Sequence, residues 1–550
     1  MTLRIENKLS TWMWVVAGLL MLGEFLLFDV MTSRHHASLY PRWNDQIQYL
    51  TESYTAYQQL QDHGLSTALQ STLKKTALQG TLHDFFAVLI FWVTGSASRS
   101  AALSLNMLVF LAWQIALLAI IPRVTGSRTL AWLGFSLLLC LAWPWSGEAG
   151  SAVDFRLDHG AMCLMGITST LALLTKGFRA TKWAIALGAA IGFTLLERFL
   201  TGAYFAAIFV ASAIWISGGD QRGLRWRNLS LAGLTAALIA LPIFWLNRVA
   251  IYTYYWVGHV SGAEGAARFR GLDLWHSLQF VFGHLGDMIL GSYFGWTIAA
   301  FTAALLLLTL LYRRQADRHS QRDWLFLGLA FLLMPAAVLT MHRQKSEFVL
   351  GVLAPGVVLL VLWAWAALWQ RIDFSPASYG RRFAPLLLAL AALGTGGIYF
   401  CQRQLWQPHN EEFLASARKV NQIADHIYNS TRSAGLAYPN IAVDQVIDFF
   451  DAQILQVICY ERHKTKVTFV IQLPDSILAD KDEVMLYRLR LCDFVLLTEE
   501  MPGSGHWPYD QQMRRLYPEL KSWCMSQLKL VETFTVFGRR MSLYQRPNLP

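Results

Sequence analysis

Long apolar runs separated by short polar turns fill the first 401 residues. The run 11–30 (TWMWVVAGLLMLGEFLLFDV) follows Arg4 and Lys8. It is too long for a signal-peptide core and has no small-residue cleavage site behind it, which predicts a retained first span with a cytoplasmic N-terminus. Runs of spanning length follow at 101–122, 129–145, 159–175, 183–197, 199–217, 229–247, 293–312, 323–341, 348–369 and 383–401, about eleven spans with the first. Between the first two lies 31–82, rich in Gln, Tyr and Thr and too long for a mere turn, a candidate functional loop. The apolar piece 83–93 falls short of the roughly 20 residues needed to cross, so a helix at the outer interface is expected there. Beyond 402 the pattern changes. Alternating or β-branched runs at 440–444, 466–472, 493–499 and 528–545, separated by helical stretches such as FFDAQILQVICYERH, predict a small α/β domain.

The expected fold is therefore mainly α: a polytopic transmembrane helix bundle over 1–401 with outer loops 31–82, 146–158 and 248–292. A small extracytoplasmic α/β domain follows at 402–550. Composition agrees, with 55% hydrophobic and only 15% charged residues in 550, against both a single soluble enzyme and a disordered chain. The net charge of +10 could suggest nucleic acid. With the N-terminus inside, however, Arg123/Arg128, Lys176/Arg179/Lys182, Arg222/Arg225/Arg227, Arg313/Arg314/Arg318/Arg322 and Arg371/Arg381/Arg382 all fall on cytoplasmic turns. The positive-inside rule thus accounts for most of the excess, and no nucleic-acid partner follows. A crossing at 83–93 would exchange the sides and break the rule. Six cysteines make no disulfide framework; Cys459, Cys492 and Cys524 are an odd number whose pairing cannot be deduced.

Ionisable groups beside spans are costly and mark function, so candidate chemistry is sought on the outer loops. In Arg42-Trp43-Asn44-Asp45-Gln46-Ile47-Gln48-Tyr49, Asp45 is the candidate base and Tyr49 a substrate contact; capping of a helix is the alternative for Asp45. The loop WPWSGEAGSAVDFRLDHGAM carries Glu148, Asp154, Arg156, Asp158 and His159. Its carboxylates suit a cation or a polyol, or else form a solvated cluster that ends a span. Arg198, in the pair Glu197-Arg198 where two spans meet, can bind a lipid phosphate bidentately or pair with a nearby carboxylate. His342-Arg343-Gln344-Lys345, cations on an outer turn, and Arg268 with Arg270 in GAEGAARFRG complete a cationic set. There is no phosphate-binding G-x-x-x-x-G-K-[ST] and no strand-preceded G-x-G-x-x-G, which argues against a direct nucleotide donor.

These elements, in this order, resemble the GT-C membrane glycosyltransferases, specifically the protein O-mannosyltransferase and lipid A aminoarabinose transferase group. Asp45-Gln46-Ile47-Gln48-Tyr49 is similar to that group's Asp-Glu pair with a Tyr three residues on, with Gln46 in place of the Glu. Phe155-Arg156-Leu157-Asp158-His159-Gly160-Ala161-Met162 fits its outer-loop Asp, Glu197-Arg198-Phe199 occupies its Lys-Gly-Pro turn without the Gly and Pro, and 342–355 is similar to its late basic turn before an apolar run containing Pro. The likeness covers about residues 10–401; the tail is analogous in position only.

The resemblance implies transfer of a sugar from a polyprenyl-phosphate carrier to a glycan, lipid or protein acceptor, usually with inversion, outside the cytoplasm of a bacterial inner membrane, as in cell-envelope polysaccharide modification. Asp45 is expected as general base and Asp158 beside it in the catalytic set. Arg198, Arg343, Lys345, Arg268 and Arg270 are expected on the donor phosphate, and Asp154, Tyr49 and His342 on acceptor or sugar. No cofactor is demanded; a divalent cation is an option because hard cations favour carboxylates. A transporter or flippase of lipid-linked sugars would need mid-membrane ionisable residues and related halves. A non-catalytic subunit of a polysaccharide machine would keep the fold, and Gln46 keeps that reading open.

Overall fold

The computed structural model describes residues 9–36, 44–74, 80–139, 141–146, 149–261, 273–285, 318–342, 346–369, 411–444, 450–465, 468–473, 481–500 and 508–549. The expected spans 293–312 and 383–401 lie outside these residues, as do Arg268, Arg270, Arg343 and Lys345. The described bundle runs α1 (Thr11–Met31), α2 (Asn44–His63), α3 (Leu65–Leu73), α4 (Thr81–Thr94), α5 (Arg99–Thr125), α6 (Arg128–Leu139), α7 (Leu157–Leu174), α8 (Thr181–Glu197), α9 (Thr201–Ser217), α10 (Arg222–Leu246), α11 (Arg248–Ile251), α12 (Leu274–His284), α13 (Arg318–Met341) and α14 (Ala354–Trp369). Among the described residues six helical stretches are long and apolar enough to cross a bilayer: Thr11–Arg34, Arg99–Thr125, Leu157–Leu174, Arg222–Leu246, Gln321–Met341 and Glu347–Ala367.

Two expected elements take a different form. The run 129–145 breaks, because α6 has only twelve residues, about 18 Å of helix. A 3-10 turn, Trp143–Trp145, then contains Pro144, which cannot donate to a continuing helix. The loop 31–82 is largely helical, and α2 and α3 fill it. The piece at 83–93 is α4, fourteen residues or about 21 Å, too short to span. It packs on α2, α3, α5 and α8 and leaves Phe86, Trp92 and Val93 exposed.

Close packing centres on α7, the most enclosed of the long apolar helices. Gly166 admits the Trp113 ring of α5, and Gly188 on α8 lets the Ala232 carbonyl of α10 approach to where a side chain would stand, the small-residue contact that brings apolar helices together. Inside the first helix Glu24 is buried and accepts a hydrogen bond from Gln114 Nε2 at 2.8 Å, tying α1 to α5.

The tail folds as α15 (Glu411–Ser433), β1 (Asn440–Val443), α16 (Ala452–His463), β2 (Val470–Ile471), α17 (Asp482–Arg490), β3 (Phe494–Thr498), α18 (Pro508–Gln527), β4 (Lys529–Val536) and β5 (Arg539–Gln545). The sheet order is β2-β1-β3-β5-β4, parallel at β2-β1-β3 and antiparallel beyond. Phe537 and Gly538, both at positive φ, close the β4–β5 hairpin in two residues. Cys459, Cys492 and Cys524 are buried free thiols. The tail meets the bundle through α16. Tyr460 stacks on Tyr54 of α2 at 4.9 Å, and Glu461 accepts from Tyr54 Oη at 2.7 Å and from Arg99 Nε at 2.9 Å.

Candidate active site

The site forms where the N-terminal ends of α2 and α7 meet the α8–α9 turn. Asp45 lies in the first turn of α2 and pairs with Arg156 of the loop before α7. Its side chain is 51% exposed, so one face of the carboxylate remains open to a substrate. Arg156 is buried beneath it, with Nε 3.7 Å from Asp154 and the guanidinium 4.2 Å from the centre of the Phe348 ring. Phe348 belongs to the 3-10 turn Glu347–Leu353 before α14, so the late segment comes to the site through this contact.

The loop that carries Arg156 is held by amides. Asn106 Nδ2 donates to the carbonyls of Ala152 (3.0 Å) and Asp154 (2.8 Å), Gln46 Nε2 to that of Val153 (3.4 Å), and Trp143 Nε1 to that of Gly150 (3.0 Å). Asp154 Oδ2 accepts the Gly150 N–H at 2.7 Å. Its carboxyl is fully enclosed, and burial pushes its pKa up to about 8 against the pull of Arg156 and of the Gly150 N–H. Asp154 therefore holds a proton near neutrality and braces its own loop. Gln46, the residue that departs from the GT-C pattern, is spent on the same loop.

Asp158 sits in the first turn of α7, where the helix N-terminus favours an anion, and is buried against Arg198. Arg198 is extended (φ −145°, ψ 112°), with its N–H on the Thr194 carbonyl and its own carbonyl accepting from Thr201 Oγ1 at 2.7 Å. Burial pulls the Arg198 guanidinium down, but Asp158 and then Tyr49, Tyr204 and Tyr255 outweigh it and hold it above the ordinary arginine range. Burial, reinforced by Asp45, raises the Tyr49 phenol well above its ordinary value, so Tyr49 is a neutral hydroxyl beside both arginines.

The fold thus unites Asp45, Tyr49, Asp154, Asp158 and Arg198 from three separated segments. His342 follows the last residue of α13 in an exposed position. Arg198 pairs with Asp158, whereas Glu197 turns the other way and meets His83 Nδ1 at 2.9 Å. Arg156 had appeared in the sequence only as part of a charge cluster; its place under Asp45 gives it the part of holding that carboxylate. Tyr204, Tyr255 and His83 had no sequence signal, being single polar residues in apolar or aromatic stretches. Among the described residues no three His, Cys, Asp or Glu side chains converge as metal ligands.

Compared with protein-family models and with curated sequences, the chain matches none. Solved structures do match. ArnT from Cupriavidus metallidurans, a lipid A aminoarabinose transferase of the GT-C type, superposes in its apo state with a TM-score of 0.57 at 15% identity over 96% of this chain and 97% of that one. Its complex with undecaprenyl phosphate gives 0.58 at 15% identity over 97% and 98%. An oligosaccharyltransferase from Archaeoglobus fulgidus, crystallised with zinc and sulfate, gives 0.48 at 12% identity over 88% and 68%. Across nearly its whole length, the chain has the fold of the GT-C membrane glycosyltransferase ArnT.

Proposed function

We propose that this chain is a membrane glycosyltransferase that moves a sugar from a polyprenyl-phosphate carrier to an acceptor hydroxyl outside the cytoplasm. The observation that carries the reading is a single solvent-reaching carboxylate, Asp45, set beside two buried arginine–carboxylate pairs on an ArnT-like fold. The match to ArnT holding undecaprenyl phosphate supports a lipid-phosphate donor. The basic turns at the opposite end of the bundle support a cytoplasmic N-terminus, about eleven spans, an α4 that lies at the interface, and a periplasmic domain at 402–550 of a bacterial inner-membrane protein.

In this reading Asp45 takes the acceptor's proton as the acceptor oxygen attacks the anomeric carbon. The anomeric C–O bond to phosphate breaks with inversion, and its electron pair leaves on the phosphate oxygen. Arg198, with Arg343 and Lys345 and with Arg268 and Arg270, neutralises that oxygen as preorganised cations do for other oxyanions. Phe348, three residues after Lys345, supports the approach of that turn because it packs on Arg156. Asp158 orients Arg198, and Tyr49 and His342 contact sugar or acceptor. Asp154, turned into its loop, keeps Arg156 in place.

The test is release of polyprenyl phosphate from a panel of synthetic polyprenyl-phosphate sugars by purified protein, followed by mass spectrometry. Release that requires Asp45 supports the enzyme. No release from any donor, with the Asp45→Asn protein still fulfilling the cellular role, favours a non-catalytic assembly subunit.

A further inference from the structure

Glu197 is the last residue of α8 and Arg198, just after it, is extended, so the chain leaves the helix between them and the two side chains reach different partners. Arg198 goes forward to Asp158; Glu197 goes back into the protein and meets His83 of α4. Side-chain exposure is 1% for His83 and 5% for Glu197, so this polar contact is closed to solvent. The enclosure is shaped for it. A Cβ on Gly160 would stand 2.1 Å from Glu197 Oε1, and one on Gly80, at φ +30°, would stand 2.4 Å from the Glu197 carbonyl. Gly160 lies on α7 two residues after Asp158. Adjacent residues of the α8–α9 turn therefore grip α7 at successive points, one through the notch and one through the ion pair.

The other contacts of His83 extend the pattern. Its ring lies 4.3 Å from that of Phe155, the residue before Arg156, and 6.2 Å edge-on from that of Tyr49, one turn after Asp45. Asn106, whose amide holds the Arg156 loop, lines one small cavity of about 30 Å3 together with His83 and Glu197. His83 thus touches the residue preceding each of the two site arginines and the aromatic residue beside the candidate base. Buried ionisable pairs commonly add little net stability over an apolar pair of the same size. What a directed hydrogen bond does supply is a fixed rotation of the 197–198 peptide, which apolar packing would leave looser.

We propose that His83 and Glu197 form a positioning dyad that sets Arg198, and through Phe155 also Arg156, for the donor phosphate; this rests on the reading of Arg198 as a phosphate ligand. Neither dyad residue touches the reacting atoms. The variants separate hydrogen bond from ring. His83→Phe keeps an aromatic ring against Phe155 and Tyr49 but cannot donate to Glu197, and His83→Asn restores a donor near the Nδ1 position.

The measurement is binding of undecaprenyl phosphate to the full-length protein in detergent, in a double-mutant cycle with Arg198→Gln, with thermal unfolding as the folding control. His83→Phe is expected to weaken binding per folded molecule about tenfold and to lower the unfolding temperature, because Glu197 is left buried without its partner; His83→Asn is expected to recover most of both losses, and His83→Phe to cost no further binding once Arg198 is Gln. Full binding by His83→Phe, or losses at His83 and Arg198 that simply add, would overturn the dyad, since a merely structural histidine acts independently of Arg198. An Arg198→Gln protein that binds normally would instead overturn the donor-site reading beneath it.

Discussion

α7 and α8 connect two ionic clusters at opposite ends of the bundle, about 27 Å apart along α7, and the two are built differently. At the far end Arg179 bridges Asp323 (2.6 Å) and Asp220 (2.7 Å), Arg225 Nε donates to the Gly177 carbonyl (2.7 Å), and Trp215 Nε1 donates to Asp323 (3.2 Å). Gly177, at φ +63°, leaves room for the Asp323 carboxylate, which a Cβ would meet at 2.5 Å. Two arginines and two aspartates balance in charge, drawn from the α7–α8 turn, the α9–α10 turn, α10 and α13. At the site end three aspartates surround two arginines. The third, Asp154, keeps its proton, and Asp45 turns half its surface to solvent. Each cluster turns one carboxylate to solvent, Asp45 at 51% and Asp220 at 53% exposure; what differs is the balance of charge, two arginines against two aspartates at the far end and three aspartates around two arginines at the site.

The largest expected effect is on activity at the site cluster. Asp45→Asn keeps the shape and the position in the first turn of α2 but removes the basicity, so turnover should fall by roughly 10² to 10⁴ fold with the unfolding temperature nearly unchanged. A normal turnover in that variant would leave the site end, like the far end, a cluster that only joins helices. The far cluster should respond in the opposite way. Asp323→Ala leaves Arg179, Arg225 and Trp215 without their shared acceptor, and breaking such a buried pair costs on the order of 3 to 5 kcal/mol. Thermal unfolding in detergent reads this, and activity per folded molecule should hold.

A smaller loss is expected at the junction of tail and bundle. Glu461→Ala removes the acceptor shared by Tyr54 and the buried Arg99, and loss of a charge-assisted hydrogen bond costs about 1.5 to 3 kcal/mol. Limited proteolysis should release the tail from the bundle sooner than in the parent protein. An unchanged cleavage rate would mean that the Tyr54–Tyr460 stack holds the tail by itself.

The finest probe is pH. The folded Asp154 carboxyl titrates near 8, far above an ordinary aspartate, so the folded state binds the proton more tightly than the unfolded chain. Its contribution is undiminished below the ordinary aspartate range and is lost as pH rises towards about 8. Asp154→Asn, which still accepts the Gly150 N–H, lacks this slope. Its unfolding temperature should rise relative to the parent between about pH 4 and pH 8 and run parallel above. Parallel curves throughout would show Asp154 ionised in the folded protein, with the site cluster carrying one more negative charge.

Much of the molecule was legible because it depends on local composition. Apolar runs long enough to cross a bilayer gave α1, α5, α7 and α13 close to their expected limits, and the β-branched runs of the tail became β1 to β5 where they stood. Pro144 was equally visible within the run at 129–145, and the helix stops ahead of it although the run reads as apolar throughout. Asp45, Asp158 and Arg198 could be picked out because a charge beside a span is costly wherever the span goes.

The chain by itself determined which segments are helices, which are strands and which turns bear charge, since each follows from a few neighbouring residues. Only the tertiary structure decided the partners. Asp45 finds Arg156 across 111 residues and His83 finds Glu197 across 114, and in sequence Glu197 is as good a partner for Arg198 as Asp158 is. An ion pair is fixed by the direction in which two backbones present their side chains. The extended backbone at 198 sends Glu197 and Arg198 apart, and the notch at Gly160 receives the one while Asp158 holds the other.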